Sequence, residues 1–174
     1  MSSRWMKAGP NHVPSYQTSG IPFVTSSASP FEVAGIDGNS ASAAPVHIQF
    51  PYVTKFITVT NIGGNPLRMG FTPNGLFSPG ERLPNGAVKG EDLGRHYYII
   101  STGSGVSGQS SNSTQTFEIR CKDIYFKSHT SDNSPGNDHA TGFTLIAGLT
   151  TIPRSNFPLL TGSVNGTGSF DGVG

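Results

Sequence analysis

The densest gathering of groups able to do chemistry is "KSHTSDNSPGNDHATG", residues 127–142, where His129, Asp132, Asp138 and His139 crowd one stretch. Carboxylates this close in sequence are the oxygen ligands a calcium ion takes. The spacing is not that of an EF-hand loop, however, and no bidentate glutamate closes it, so the reading is a polar surface loop rather than a metal site. The remaining histidines, His12, His47 and His96, share no metal-ligand spacing on one element. A cupin-type metal centre needs His and Glu ligands clustered on strands, and His47 and His96 alone do not supply them.

Nucleophilic chemistry finds no better home. Hydrolysis needs a nucleophile beside a base, or two carboxylates in one pocket. Gly103-Ser104-Gly105, within "STGSGVSG", is not a Gly-x-Ser-x-Gly elbow, and the stretch lacks the lysine and the helix start of a phosphate loop. Cys121 is the single cysteine, so no intrachain disulfide can form. Its alternation with Phe117 and Ile119 places it on a buried strand face as a small hydrophobe. Asn112-Ser113-Thr114 and Asn165-Gly166-Thr167 match the glycan-acceptor pattern, but the first twenty residues lack the apolar middle of a signal peptide; the expectation is synthesis inside the cell and a chance match. Tyr97 and Tyr98 are adjacent and must point to opposite faces of a strand, so only one of them can line a sugar platform. No catalytic, cofactor-binding or metal-binding residue is assigned, and an enzyme is not expected.

The elements that would position these residues are short strands. "VHIQF" alternates Val46, Ile48 and Phe50 against His47 and Gln49, the period of two that gives one buried and one wetter face. "FEVAGI" (31–36), "TKFITVTNI" (54–62), "PLRMGF" (66–71), "RHYYIIST" (95–102) and "TGFTLIAGLTTI" (141–152) are further strand signals bounded by turn clusters, with a long loop from Thr72 to Gly94. "STQTFEIRCKDIYFK" (113–127) alternates most clearly, with Phe117, Ile119 and Cys121 on one face and Glu118, Arg120 and Lys122 on the other. Its phase slips at Ile124, Tyr125 and Phe126, which predicts a bulge or a strand covered on both sides in its second half. No segment has helical apolar spacing beyond one turn at "GEDLGRHYY". The total is seven or eight strands, and the fold class is all-β, a sandwich or barrel.

Pro10, Pro14, Pro22 and Pro30 forbid a helix in residues 1–30 and interrupt any ladder, so this stretch is an extended N-terminal arm. Trp5, Tyr16, Phe23 and Val24 are spaced along it as anchors for a neighbouring surface; a floppy terminus is the other reading. Residues 31–157 form the β domain and 158–174 a glycine-rich tail, either a flexible end or a second extended arm. Phe50, Ile57, Val59, Phe71, Phe117, Ile119, Phe143 and Leu145 are the expected core. Arg68 and Arg120 sit on strands beside apolar neighbours, where a solvated face and an inter-subunit ion pair are the alternatives.

Only 12% of the 174 residues are charged, against roughly 25% in an ordinary soluble domain. Much of such a surface is expected to meet other protein. A formal net charge of +1 creates no field to draw in nucleic acid or an anionic membrane, and no apolar run is long enough to cross a bilayer.

Three stretches, "ITVTNIGGNPLRMGFTPNG", "FEIRCKDIYFKS" and "GFTLIAGLTTIPRSNFP", occur in an order that resembles the single jelly-roll penton and minor capsid proteins of nucleocytoplasmic large double-stranded DNA viruses, such as the chloroviruses. The resemblance spans roughly residues 55–157 and leaves out the arm and the tail. It implies a single jelly-roll β-sandwich of about eight antiparallel strands without cofactor or catalytic residue. It further implies a structural capsid protein of the virion, made in the host cytoplasm. The expected partners are itself, as a homopentamer at the five-fold vertices, with the major capsid protein and other minor capsid proteins. Another minor capsid protein cementing capsomers, or a carbohydrate-binding attachment module, is the alternative.

Overall fold

The computed structural model describes residues 21–26, 45–63, 65–81, 83, 87–90, 94–102, 113–129 and 141–157. Residues 1–20 of the expected arm, the expected strand at 31–36, the serine and glycine stretch at 103–112, residues 130–140 of the acidic loop and the tail from 158 lie outside them.

Among the described residues there are eight strands: β1 (Ile21–Ser26), β2 (Val46–Gln49), β3 (Tyr52–Asn61), β4 (Leu67–Gly70), β5 (Tyr98–Ile100), β6 (Ser113–Phe117), β7 (Asp123–Ser128) and β8 (Phe143–Pro153). Single 3-10 turns follow β4 at Asn74–Leu76 and β8 at Arg154–Asn156. One sheet has the order β1-β8-β3-β6 and the other β2-β7-β4-β5. Every neighbouring pair is antiparallel. The protein is therefore an all-β sandwich of two four-stranded antiparallel sheets.

The period-two positions decide which face each strand buries. Ile57 and Val59 of β3, Leu67 and Met69 of β4, Ile124 and Phe126 of β7, and Phe143, Leu145 and Ala147 of β8 turn inward and fill the space between the sheets. Of the expected core, Phe50, Ile57, Val59, Phe143 and Leu145 are buried, each contributing about 1.5–3 kcal/mol of apolar burial. Phe71, Phe117 and Ile119 are half-buried against the same cluster, nearer its rim.

Three readings of the pattern change. First, Ile21–Ser26, assigned above to the arm, pairs with β8 from Ile21↔Leu149 to Ser26↔Thr144. Pro22 does not prevent this, because β1 is an edge strand with a partner on one side only, where a missing N–H costs nothing. Second, 113–127 is not one strand with a bulge. β6 belongs to the first sheet and β7 to the second, and residues 118–122 cross between them. Lys122 O accepts from Phe50 N and Cys121 O from Thr54 N, both at 3.0 Å, so the crossing is bonded to the entrance of β3 instead of to a strand partner. The phase slip at Ile124 marks the change of sheet. Third, Arg68 is neither on a solvated face nor free for another subunit; it is 1% exposed and paired within the chain. Arg120 is exposed.

Candidate functional site

The two outer faces of the sandwich differ in kind. On the β2-β7-β4-β5 sheet, the inward places on β4 and β7 belong to Leu67, Met69, Ile124 and Phe126, so Arg68, Tyr125 and Lys127 must point outward. Outward is not exposed here, because the connection between β4 and β5 folds back over this face. Leu76, Phe77 and Leu83 of the connection form a second small core, with Tyr97 and Tyr125 packed on it.

Local sequence explains how the connection is shaped. Ser78-Pro79-Gly80-Glu81 is a turn closed by Glu81 N donating to Ser78 O at 3.0 Å, with Gly80 at φ 82. Proline at the second and glycine at the third position are what a type II turn requires. The turn aims the Glu81 carboxylate at Arg68, whose Nη1 and Nη2 donate to Oε2 and Oε1 at 2.8 and 2.9 Å. Arg68 Nη1 also donates to Leu76 O at 2.8 Å and Nε to His129 Nδ1 at 3.0 Å. Its guanidinium carbon lies 4.6 Å from the centre of the Tyr97 ring. Lys127 Nζ is 3.9 Å from Glu81 Oε2 and 5.0 Å from the centre of the Phe77 ring. Lys89, also buried, donates from Nζ to Phe77 O at 2.8 Å and to Asn74 O at 3.1 Å.

The electrostatics follow from burial. Burial opposes ionisation of Glu81, but hydrogen bonds from Arg68 and the charges of Lys127 and Arg68 outweigh it and hold the carboxyl below its ordinary range. Burial, reinforced by Arg68, lowers Lys127 against the pull of Glu81. Burial and the Arg68 charge likewise lower His129. The Glu81 carboxylate thus accepts the arginine fork and the Ser78 N–H, with Lys127 close by as a second positive charge. This cluster fastens a covering segment to a sheet.

At the rim of the same face, His47 Nε2 lies 2.8 Å from Asp123 Oδ1, and Arg154 grips Asp123 through both carboxylate oxygens at 2.9 and 3.0 Å. The His47 ring stacks on Tyr125 with centroids 4.2 Å apart. His96 belongs to the covering connection, its N–H donating to Gly75 O. Of His129, Asp132, Asp138 and His139 only His129 is among the described residues, and its Nδ1 accepts from Arg68. Among the described residues no three His, Cys, Asp or Glu side chains gather to hold a metal. Tyr97 and Tyr98 do point to opposite sides. Tyr97 joins the small outer core and hydrogen-bonds Ser78, while Tyr98 meets Phe117 edge-on. Burial pushes the Cys121 thiol up to about 11, with Thr54 Oγ1 3.5 Å from the sulfur.

The outer face of the β1-β8-β3-β6 sheet has no such cover among the described residues. Strand register lines up its outward residues in rows: Val24, Ile146, Thr58 and Thr116; Ser26, Thr144, Thr60 and Thr114; and Pro22, Gly148 and Phe56. None of these is charged, but exposed Glu118, just past β6 and in phase with Thr114 and Thr116, extends the third row level with Phe56. Thr58 and Thr116 bond hydroxyl to hydroxyl at 2.9 Å, as do Thr60 and Thr114. Val24 is 70% exposed and Ile146 45%. The alternation in β3, β6 and β8 already separates these positions from the core, but only the pairing register shows that they form one surface. No helix among the described residues is long and apolar enough to cross a membrane. Comparison with protein-family models, with curated proteins and with solved structures returns no match to this chain.

Proposed function

We propose that this protein is a structural shell protein: a single jelly roll that acts as the penton of an icosahedral large DNA virus, assembling as a homopentamer at the five-fold vertices of the virion. The observation that carries the reading is the nesting of the strand pairs. β1 bonds β8, β2 bonds β7, β3 bonds β6 and β4 bonds β5. Such pairing is what results when one long antiparallel hairpin of eight strands is rolled up, the arrangement of a jelly roll. The three stretches that resemble capsid proteins contribute β3 and β4, the β6–β7 crossing with β7, and β8, which include the inner strands of both sheets. A surface with only 12% charged residues suits repeated lateral contacts in a closed ring.

On this reading the protein is made in the host cytoplasm, works without cofactor or catalytic residue, and contacts the major capsid protein and other minor capsid proteins. A minor capsid protein cementing capsomers uses the same features without the ring. Electron microscopy of the purified full chain separates the two, since five-fold ring averages are expected of a penton and single 18.3 kDa particles alone count against it. The carbohydrate-binding alternative rests on Tyr98 alone, 48% exposed beside Phe117, because Tyr97 is turned into the small outer core. A glycan array is expected to show no saccharide preference.

A further inference from the structure

We propose that His129 is a proton-operated catch: its neutral ring helps hold the covering connection on the β2-β7-β4-β5 sheet, and a second proton on that ring loosens the connection while the sandwich stays folded. The inference goes beyond the shell-protein reading and does not depend on it. Its first support is the direction of one hydrogen bond. Arg68 Nε donates to His129 Nδ1 at 3.0 Å, and an arginine N–H can only donate. His129 Nδ1 must therefore carry a lone pair, which makes the bound ring neutral with its proton on Nε2. A second proton would go to Nδ1 and face the Arg68 N–H donor to donor. The backbone of His129 stays beside Arg68 meanwhile, because its N–H donates to Pro66 O at 2.8 Å.

The second support is charge. The ring feels Arg68 from β4, Lys127 from its own neighbourhood on β7, Arg95 from the segment before β5 and Glu81 from the connection. Tyr97, on the same segment as Arg95, has its ring centre 6.2 Å from the imidazole. The three cations oppose a charged imidazole, and the one carboxylate is already engaged by the Arg68 fork. Burial and the Arg68 charge accordingly hold His129 below its ordinary 6.5. The third support is what the lost bond leaves behind. Arg68 is 1% exposed, so with His129 protonated the closed state keeps a buried Nε–H without its acceptor, and opening returns that group to water. Leu76, Phe77 and Leu83 of the connection form a core separate from the one between the sheets, so the connection can lift without unpacking the sandwich. Glu81, held below its ordinary 4.5, stays ionised in this range, so its fork persists and the opening is transient.

The test is amide hydrogen exchange of the full chain from about pH 7.5 to about pH 5, expressed as protection factors so that the intrinsic pH dependence of exchange drops out. The amides of Leu83, Lys89 and His96, bonded to Ala87 O, Glu81 O and Gly75 O, report on the connection, and those of β3 and β8 on the sandwich. One proton taken up on opening lowers protection by at most about tenfold per pH unit. The expected result is that the connection is less protected than β3 and β8 at every pH, and that its protection falls toward that slope below 6.5. His129→Gln, whose side-chain oxygen accepts from Arg68 at any pH, should abolish the fall, with thermal unfolding at neutral pH showing that the variant is folded. Connection protection that does not change with pH in the wild type overturns the proposal, as does a fall that persists in His129→Gln. Exchange of the connection only at the rate of β3 and β8 overturns it too, since the connection would then open only when the sandwich unfolds. Nitrogen chemical shifts of the His129 ring test the same point without a variant: the proton is expected on Nε2 at neutral pH, and a proton on Nδ1 there overturns the proposal.

Discussion

Arg68 is the residue on which the covered face depends. It is 1% exposed, and its donors reach Glu81, Leu76 and His129 on two other segments. Removing one partner of a buried pair strands the other charge, a loss of about 3–5 kcal/mol, whereas replacing both with apolar groups is often neutral or better. Arg68→Met and Glu81→Leu are each expected to fall in that range by urea unfolding, and the double variant to lose far less than their sum. Acid should weaken the same cluster. The folded pKa values of Glu81 and His129 both lie below their unfolded values of 4.5 and 6.5. The unfolded chain thus takes up each proton first, and stability falls as pH drops, from about 6.5 for His129 and again below 4.5 for Glu81. Urea midpoints measured down the pH scale should show both declines, and Glu81→Gln should flatten the lower one. Cys121 has the opposite sign. Its thiol titrates near 11 instead of 9.0, so its contribution is lost as pH rises through that window. At neutral pH a thiol-labelling reagent should react with Cys121 only at the rate of unfolding.

At the scale of the elements, two side-chain knots hold strands to connections. Thr54 sits where the β3 register shifts, accepts from Cys121 N at 2.9 Å and donates toward Ile119 O at 2.9 Å. It fixes the crossing between sheets, and Thr54→Val, leaving that N–H without an acceptor, should cost about 1–3 kcal/mol by thermal or urea unfolding. At the other end of β3, Asn61 Oδ1 accepts from Gly63 N and Thr141 Oγ1, both at 3.0 Å, and Nδ2 donates to Asn65 O at 2.9 Å. Gly63 fits beneath this knot because a Cβ there would lie 2.5 Å from Gly142 N. Gly63→Ala should therefore lower the unfolding temperature, with Gly142 backbone displaced. Most of the strands were legible in sequence because β-branched alternation in β3, β6 and β8 records a buried and an open face directly. The crossing at 118–122 was not, since an extended segment running from sheet to sheet keeps Ile119 and Cys121 inward and so imitates a strand. The Arg68–Glu81 pair was not legible either. A turn must close at Ser78–Glu81 before the two residues meet, and sequence gives the turn residues but not where they aim.

For the whole molecule, the asymmetry between the faces is the feature with consequences. One sheet is covered by the chain's own connection, and the other presents mostly Thr, Val, Ile and Pro, with Glu118 at its rim. Contacts made through a surface this poor in charge should depend little on ionic strength, because there are few charges for salt to screen. Raising salt is expected to leave association unchanged, whereas charge-driven assembly would weaken. The central claim is that this sandwich closes on copies of itself, and sedimentation velocity of the purified full chain at micromolar concentration tests it most directly. The expected result is a dominant species of about five times the 18.3 kDa chain mass. A boundary that remains at the mass of one chain as concentration rises would contradict it.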